Sequence, residues 1–113
     1  MIEETILKYL NDKADVPVYM EEPKSHPKRF AVLEKTGGGG GENFIFTSTF
    51  ALQSYAESKY QAAFLNKKLK QIMLDRAADI PGVSRISYGG DYDYTDPQTK
   101  QYRYQMVLIV THY

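Results

Sequence analysis

The sequence of 113 residues has no cysteine and no tryptophan, and its 14 acidic and 14 basic side chains cancel. Without cysteine there are no disulfide bonds, thiolate nucleophiles or cysteine-ligated zinc sites. Without a block of one charge, the sequence predicts no broad surface for duplex nucleic acid or an anionic membrane. No run approaches the roughly 20 apolar residues that span a bilayer, and the charged N-terminal segment does not resemble a secretory signal. We therefore expect a soluble protein made in the cytoplasm.

The length and composition predict one domain over residues 1–113. A chain of this size can bury one hydrophobic core but is too short for two. The hydrophobic share of 42% and the charged share of 25% are those of an ordinary globular protein.

Two segments have the apolar spacing of amphipathic helices. One begins near the N-terminus, and the other is expected from about Glu57 to Ala77, with either Ser54 or Ser58 as its cap. The apolar residues that define their buried faces are Ile2, Ile6, Leu7 and Leu10 in the first helix and Ala62, Leu65, Leu69, Ile72 and Met73 in the second.

Five further segments predict strands, at residues 16–20, 29–36, 42–55, 83–90 and 100–113. In the third, a face expected to be buried contains Phe44, Phe46, Phe50 and Leu52. In the last, Val107 and Ile109 make both faces apolar, which predicts a central position in the sheet or an interface with another chain. The order α-β-β-β-α-β-β indicates an α+β fold with a single antiparallel or mixed β-sheet packed against two helices.

The run KTGGGGGEN places five glycines between the second and third predicted strands. A phosphate-binding loop would continue with lysine, a hydroxyl residue and a helix, whereas Glu42, Asn43 and a strand follow here. The pattern favours a hairpin connection whose mobile tip meets a partner. The candidate partner-contact loop consists of Gly37, Gly38, Gly39, Gly40 and Gly41.

The remaining polar residues predict no catalytic site, cofactor site or metal site, and no enzyme activity. The acidic stretch from Asp91 has alternating oxygen ligands, as in a calcium loop, but Asp96 and Tyr102 stand where that loop needs glycine and glutamate. His26 and His112 are the only histidines and lie far apart in the sequence. We interpret residues 89–99 as a polar hairpin loop.

Tyrosine is the abundant aromatic residue, with ten copies. Five of them surround the last predicted hairpin and are candidate interface aromatics: Tyr88, Tyr92, Tyr94, Tyr102 and Tyr104. Tyrosine suits a protein interface because it buries a large area and keeps a polar tip. The second interpretation is that these tyrosines simply pack in the core and at its rim. The third is stacking on single-stranded bases, which ranks last because Arg85, Lys100 and Arg103 are the only nearby basic residues.

The chain resembles the small tail-terminator, or minor tail, proteins of siphophages and Gram-positive prophages. The likeness covers nearly the whole chain and lies in the phrases VPVYMEEP, FAVLEKTGG, FTSTFALQSYAESKYQAAFLN and KQYRYQMVLIVTHY. It implies a structural virion protein that forms a ring, hexameric in the best-known members. Such a ring caps the tail tube and offers the surface to which the head connector binds. Another head-tail connector or head-completion protein is the alternative, followed by a small nucleic-acid-binding module.

Overall fold

In the computed structural model, which describes residues 1–75 and 77–113, helices and strands follow the predicted order. The helices are α1 (Ile2–Lys13) and α2 (Lys59–Asp75), and a short 3-10 helix spans Ala77–Asp79. The strands are β1 (Val18–Tyr19), β2 (Phe30–Glu42), β3 (Ile45–Tyr55), β4 (Val83–Asp93) and β5 (Arg103–His112). The α+β fold is thus confirmed for the described residues.

One mixed sheet contains all five strands in the order β1-β2-β3-β5-β4. The short β1 pairs with β2 in parallel, and the other neighbours are antiparallel. Because β5 lies between β3 and β4, its backbone is paired on both sides. Of the two alternatives that the apolar residues on both faces predicted, the central position is confirmed, and Val107 and Ile109 are half-buried.

The second helix begins at the later of its two predicted caps. The Ser58 hydroxyl accepts a hydrogen bond from the backbone N–H of Gln61 at 3.1 Å, which satisfies one of the free donors of the first turn. The predicted bounds at Glu57 and Ala77 are therefore too wide. The helix ends at Asp75, Arg76 lies outside the described residues, and Ala77 already belongs to the 3-10 helix.

The main core lies between the two helices and one face of the sheet. Ile6 and Leu10 from α1 and Leu69 and Met73 from α2 are completely buried there. The sheet contributes alternate residues, as the period of a strand requires: Ala31, Leu33, Phe50, Leu52, Met106, Leu108 and Val110. The opposite face carries a small second core of Phe30, Val32 and Tyr55, and no helix of residues 1–75 or 77–113 packs into that core.

An asparagine side chain fixes α1 beside the edge of the sheet. The Asn11 amide donates to the carbonyl oxygen of Val18 at 3.0 Å, and its oxygen accepts from the N–H of Val18 at 2.9 Å. These two bonds supply backbone-like pairing to the outer side of β1. They hold the end of α1 next to α2 and so define one wall of a cleft described below.

Candidate interaction surface

The glycine run lies inside a strand, so the prediction that it forms the connection between two strands is wrong. Gly37, Gly38, Gly39 and Gly40 pair with Thr49, Ser48, Thr47 and Phe46 of β3, respectively. The connection is the pair Asn43–Phe44. Pairing with β3 overrides the low strand propensity of glycine. We call residues 37–46 the arm; a partner contact by its glycines stays a prediction.

The fold itself requires glycine at only part of the run. Gly40 and Gly41 have φ values of 90° and 105°, which side-chain-bearing residues rarely adopt. Gly37 and Gly39 lack this constraint. A Cβ on Gly37 would lie 3.8 Å from the Thr49 Cβ, and a Cβ on Gly39 would have no atom within 4 Å. At these two positions a side chain would fit, so the fold of this chain does not require glycine there.

The end of the arm exposes three consecutive apolar side chains, which we call the tip: Phe44, Ile45 and Phe46 are 83%, 42% and 40% exposed. The sequence placed Phe44 and Phe46 on a buried face with Phe50 and Leu52, and this prediction is wrong for both. Burial ends at Ser48, which is 2% exposed, and the arm continues past it. Exposed apolar side chains gathered at the end of an arm make the tip a candidate interaction site.

The backbone of the turn presents Phe44 to solvent at some conformational cost. Asn43 and Phe44 have φ values of 56° and 62°, the positive values that a two-residue type I′ turn needs at both positions. Asparagine tolerates this region, whereas glycine is the favoured second residue and phenylalanine is strained there. The turn thus holds an aromatic ring outward where glycine would fold more easily.

On the helix-free face, aromatic rings and one arginine form a continuous row across three strands and the segments before β2 and after β4. The rings of His26 and Phe30 lie 4.0 Å apart, and those of Phe30 and Tyr55 are stacked at 4.5 Å. The guanidinium carbon of Arg103 lies 5.8 Å from the Tyr55 ring centre and 4.6 Å from that of Tyr94. The row links the segment before β2 to the end of β4.

Hydrogen bonds join the polar atoms beside this row into a network. The Gln53 amide donates to the Gln105 side-chain oxygen at 2.8 Å, and the Gln105 amide donates to the Tyr92 hydroxyl. The Tyr55 hydroxyl donates to Gln53 at 3.1 Å. Arg103 donates to the Tyr55 hydroxyl at 3.2 Å and to the Tyr94 carbonyl at 2.7 Å. These polar groups satisfy one another and make a rigid surface.

The five candidate tyrosines lie in or beside the β4–β5 hairpin, on both of its faces. Tyr92 and Tyr94 belong to the helix-free face, where their rings meet edge to face at 5.9 Å. Tyr88 faces α2, with the Lys70 ammonium 4.0 Å from its ring centre. Tyr104 lies on the helix side, since it is two residues before the buried Met106 of the same strand, and Tyr102 directly precedes β5. They therefore do not form one continuous patch.

A cleft of about 640 Å³ lies between α1 and α2. Leu65 and Leu69 form an apolar part of its lining, together with the half-exposed Phe64. Lys68, also in the lining, donates to Asp15 at 3.1 Å and has its ammonium 5.3 Å from the Phe64 ring centre. The polar lining residues include Lys13, Arg29, Gln71 and Asp75.

Three surface carboxylates have lowered pKa values because hydrogen-bond donors face them. The Arg29 guanidinium lowers the pKa of Glu57 to about 2, and the hydroxyl and N–H of Thr95 lower the pKa of Asp93 to about 2. The N–H of Gln98 lowers the pKa of Asp96. A general acid needs the opposite shift. These groups therefore act as fixed negative charges.

Within residues 1–75 and 77–113, no three histidine, aspartate or glutamate side chains are grouped so that they could hold a metal ion. None of the helices in this part of the chain has the length and apolarity to cross a bilayer.

Sequence reasoning missed both the exposed tip and the partners of Arg103. The dipeptide Asn43–Phe44 between two alternating segments was the available signal for the turn, but the glycines beside it gave a stronger one. The contact between Arg103 and Tyr55 joins residues 48 positions apart, so it could not be found before the strand register was known.

Comparisons with known proteins give no family. The chain matches no protein-family model and has no significant match among curated proteins.

Proposed function

We propose that this protein is a structural subunit of a phage virion, a tail terminator that forms a ring at the end of the tail tube. The observation that carries the proposal is a pair of unlike surfaces on one small domain, the exposed tip of the arm and the cleft between the helices. A ring closes through head-to-tail contacts, in which each subunit uses two different surfaces. The α-β-β-β-α-β-β order is also the one implied by the resemblance to tail terminators.

The proposed partners are further copies of this chain, the tail tube protein and the head connector. A hexameric ring with the tube on one side and the connector on the other needs separate axial surfaces in addition to the lateral ones. The helix-free face is suited to such a contact because its rigid polar network is already satisfied internally, so little side-chain freedom is lost on binding.

Base stacking is a weaker interpretation of the aromatic row. Phe30 and Tyr55 are only 2% and 5% exposed, and they stack on each other. A base needs an open aromatic face and a basic groove along its backbone. The central rings of the row offer neither, and the chain has no net charge.

The test is to mix purified protein with headless tail tubes from the phage or prophage that encodes it, and to examine them by electron microscopy. We expect added density at one end of each tube and, by mass measurement, a complex containing a ring of this chain. Binding to tail-free heads with no binding to tubes would instead identify a head-completion protein.

A parallel measurement distinguishes the nucleic-acid-binding interpretation from the structural one. Fluorescence anisotropy with a single-stranded oligonucleotide at two salt concentrations reports binding that weakens with counterion release. We expect no tight binding at either concentration. Tight, salt-dependent binding together with bare tube ends would overturn the structural proposal.

A further inference from the structure

We propose that the tip of one copy, formed by Phe44, Ile45 and Phe46, inserts into the cleft between α1 and α2 of the next copy. This inference rests on the proposed ring and names the lateral contact that builds it. It assigns a partner, a second copy of this chain, to the cleft and to the exposed tip, in which Phe46 also stacks on the His112 ring of its own copy.

The tip has the properties of an inserted anchor. Phe44 is 83% exposed and has a φ of 62°, so neither burial nor backbone preference within its own chain accounts for an aromatic residue there. A few buried aromatic and aliphatic anchors dominate the energy of typical protein interfaces. A partner pocket would give this strained, exposed ring a favourable environment.

The occupant cannot be the tip of the same copy. The ladder between β2 and β3 continues through Gly40–Phe46 and Glu42–Ile45, so the arm stays extended up to its turn. Arg29, at the edge of the cleft, is separated from the tip by the whole of β2, whose 13 residues span about 40 Å. Bending the tip back would break the ladder, and the contact is therefore intermolecular.

Charge complementarity favours a second copy as the occupant. Lys13, Arg29 and Lys68 in the cleft lining outnumber Asp15 and Asp75 by three to two, whereas Glu42 is the one ionisable group in the arm. Among the described residues, Glu42 forms no ion pair, and neither does Lys13, since Lys68 pairs with Asp15 and Arg29 with Glu57. The unpaired acid beside the tip thus matches the unpaired base at the cleft.

The bare part of the arm fits the same arrangement. Gly37 and Gly39 have room for a side chain but carry none, which lets another surface approach the backbone closely. A tip of three side chains gives a contact well below the roughly 1,200 Å² of a stable interface. We therefore expect weak association in solution and full occupancy when the subunits are gathered on a tube.

The first test uses the absence of cysteine in the chain. Copies carrying Asn43→Cys, which keeps the Phe44 ring, are mixed with copies carrying Gln71→Cys in the cleft, concentrated or bound to tubes, and oxidised mildly. We expect a disulfide between the two kinds of copy. Mixing Asn43→Cys with Ser84→Cys, an exposed residue of β4 outside the cleft, provides the control. Cross-links of Asn43→Cys only to itself or to the tube protein, or no cross-link on capped tubes, would overturn the inference.

The second test measures self-association by sedimentation. Phe44→Gly removes the ring and relieves the positive φ, so the fold is kept or stabilised while the association constant falls at least about 30-fold. Tyr113→Ala removes another exposed aromatic ring and leaves association unchanged. Equal association by wild type and Phe44→Gly would contradict the role of the tip.

A charge exchange tests the proposed orientation. Glu42→Lys and Lys13→Glu each weaken association several-fold, and the double variant recovers most of the loss. Additive losses in the double variant would place the two residues in different contacts.

If tubes are capped but no contact between tip and cleft forms, this inference fails and the proposed function stands. If the contact forms but tube ends stay bare, the proposed function fails and this inference stands.

Discussion

Phe30 and Tyr55 lie directly opposite each other in β2 and β3, with their rings nearly parallel at 8° and 4.5 Å apart. This stack forms the centre of the small core on the helix-free face, where no helix contributes to burial. It fixes one corner of the face, because His26 packs on its outer side and Arg103 lies on its inner side. The surface network therefore depends on a buried aromatic pair.

Truncating Phe30 tests how much this aromatic pair contributes to the free energy of unfolding. Phe30→Ala is expected to lower the free energy of unfolding by about 3 kcal/mol, the low end for a buried phenylalanine, since the cluster is small. Urea denaturation measures the loss. His26→Ala, which removes the exposed ring of the same stack, is expected to cost less than about 1 kcal/mol. Similar losses for both variants would show that the buried pair does not hold this corner.

The glycines of the arm are expected to divide into two classes. Gly37→Thr and Gly39→Thr should each raise the free energy of unfolding by about 0.5–1 kcal/mol, because threonine favours strands and both sites have room. Gly40→Ala and Gly41→Ala should lower it by about 1–2 kcal/mol, because their φ values are positive. Thermal unfolding distinguishes the classes, and destabilisation by all four variants would contradict the division.

The ion pair between Arg29 and Glu57 should be visible in a titration. The folded-state pKa of Glu57 is about 2, below its ordinary value of 4.5, because Arg29 donates hydrogen bonds to the carboxylate. A lowered pKa adds stability that is complete above the ordinary value and is lost as the pH falls toward 2. NMR titration of the Glu57 carboxyl carbon measures the pKa directly. In Arg29→Gln it should rise toward 4.5, and an unchanged value would exclude Arg29 as the cause.

Arg103 should not be replaceable by lysine. Its guanidinium binds the Tyr94 carbonyl and the Tyr55 hydroxyl at once, which a single ammonium group cannot reproduce in the same plane. Arg103→Lys is expected to lower the free energy of unfolding by about 1–2 kcal/mol, the value of one or two hydrogen bonds. Arg85→Lys, at an exposed position of β4, serves as the matched control and should change it by less than about 0.5 kcal/mol.

The fold was largely predictable because its signals are local. The stripe through Ala62, Leu65 and Leu69 indicates a helix with one buried side, and alternation in β5 indicates a strand. The arm was not predictable, because five glycines have no local preference for a strand. Only their pairing with β3 makes them one. The same limit applies to the surface network, because Gln53 and Gln105 become neighbours only through the register of distant strands.

The glycine half of the arm, residues 37–40, has few buried side chains and lies past the short β1, so among the described residues its ladder partner is β3 alone. The stability of a protein is distributed unevenly, and segments with few apolar contacts open without global unfolding. Amides near Gly39 should therefore exchange with solvent deuterium much faster than those at Leu52 and Met106, which are fully buried. The domain would then consist of a slowly exchanging sheet centre and a glycine edge that opens and closes without it.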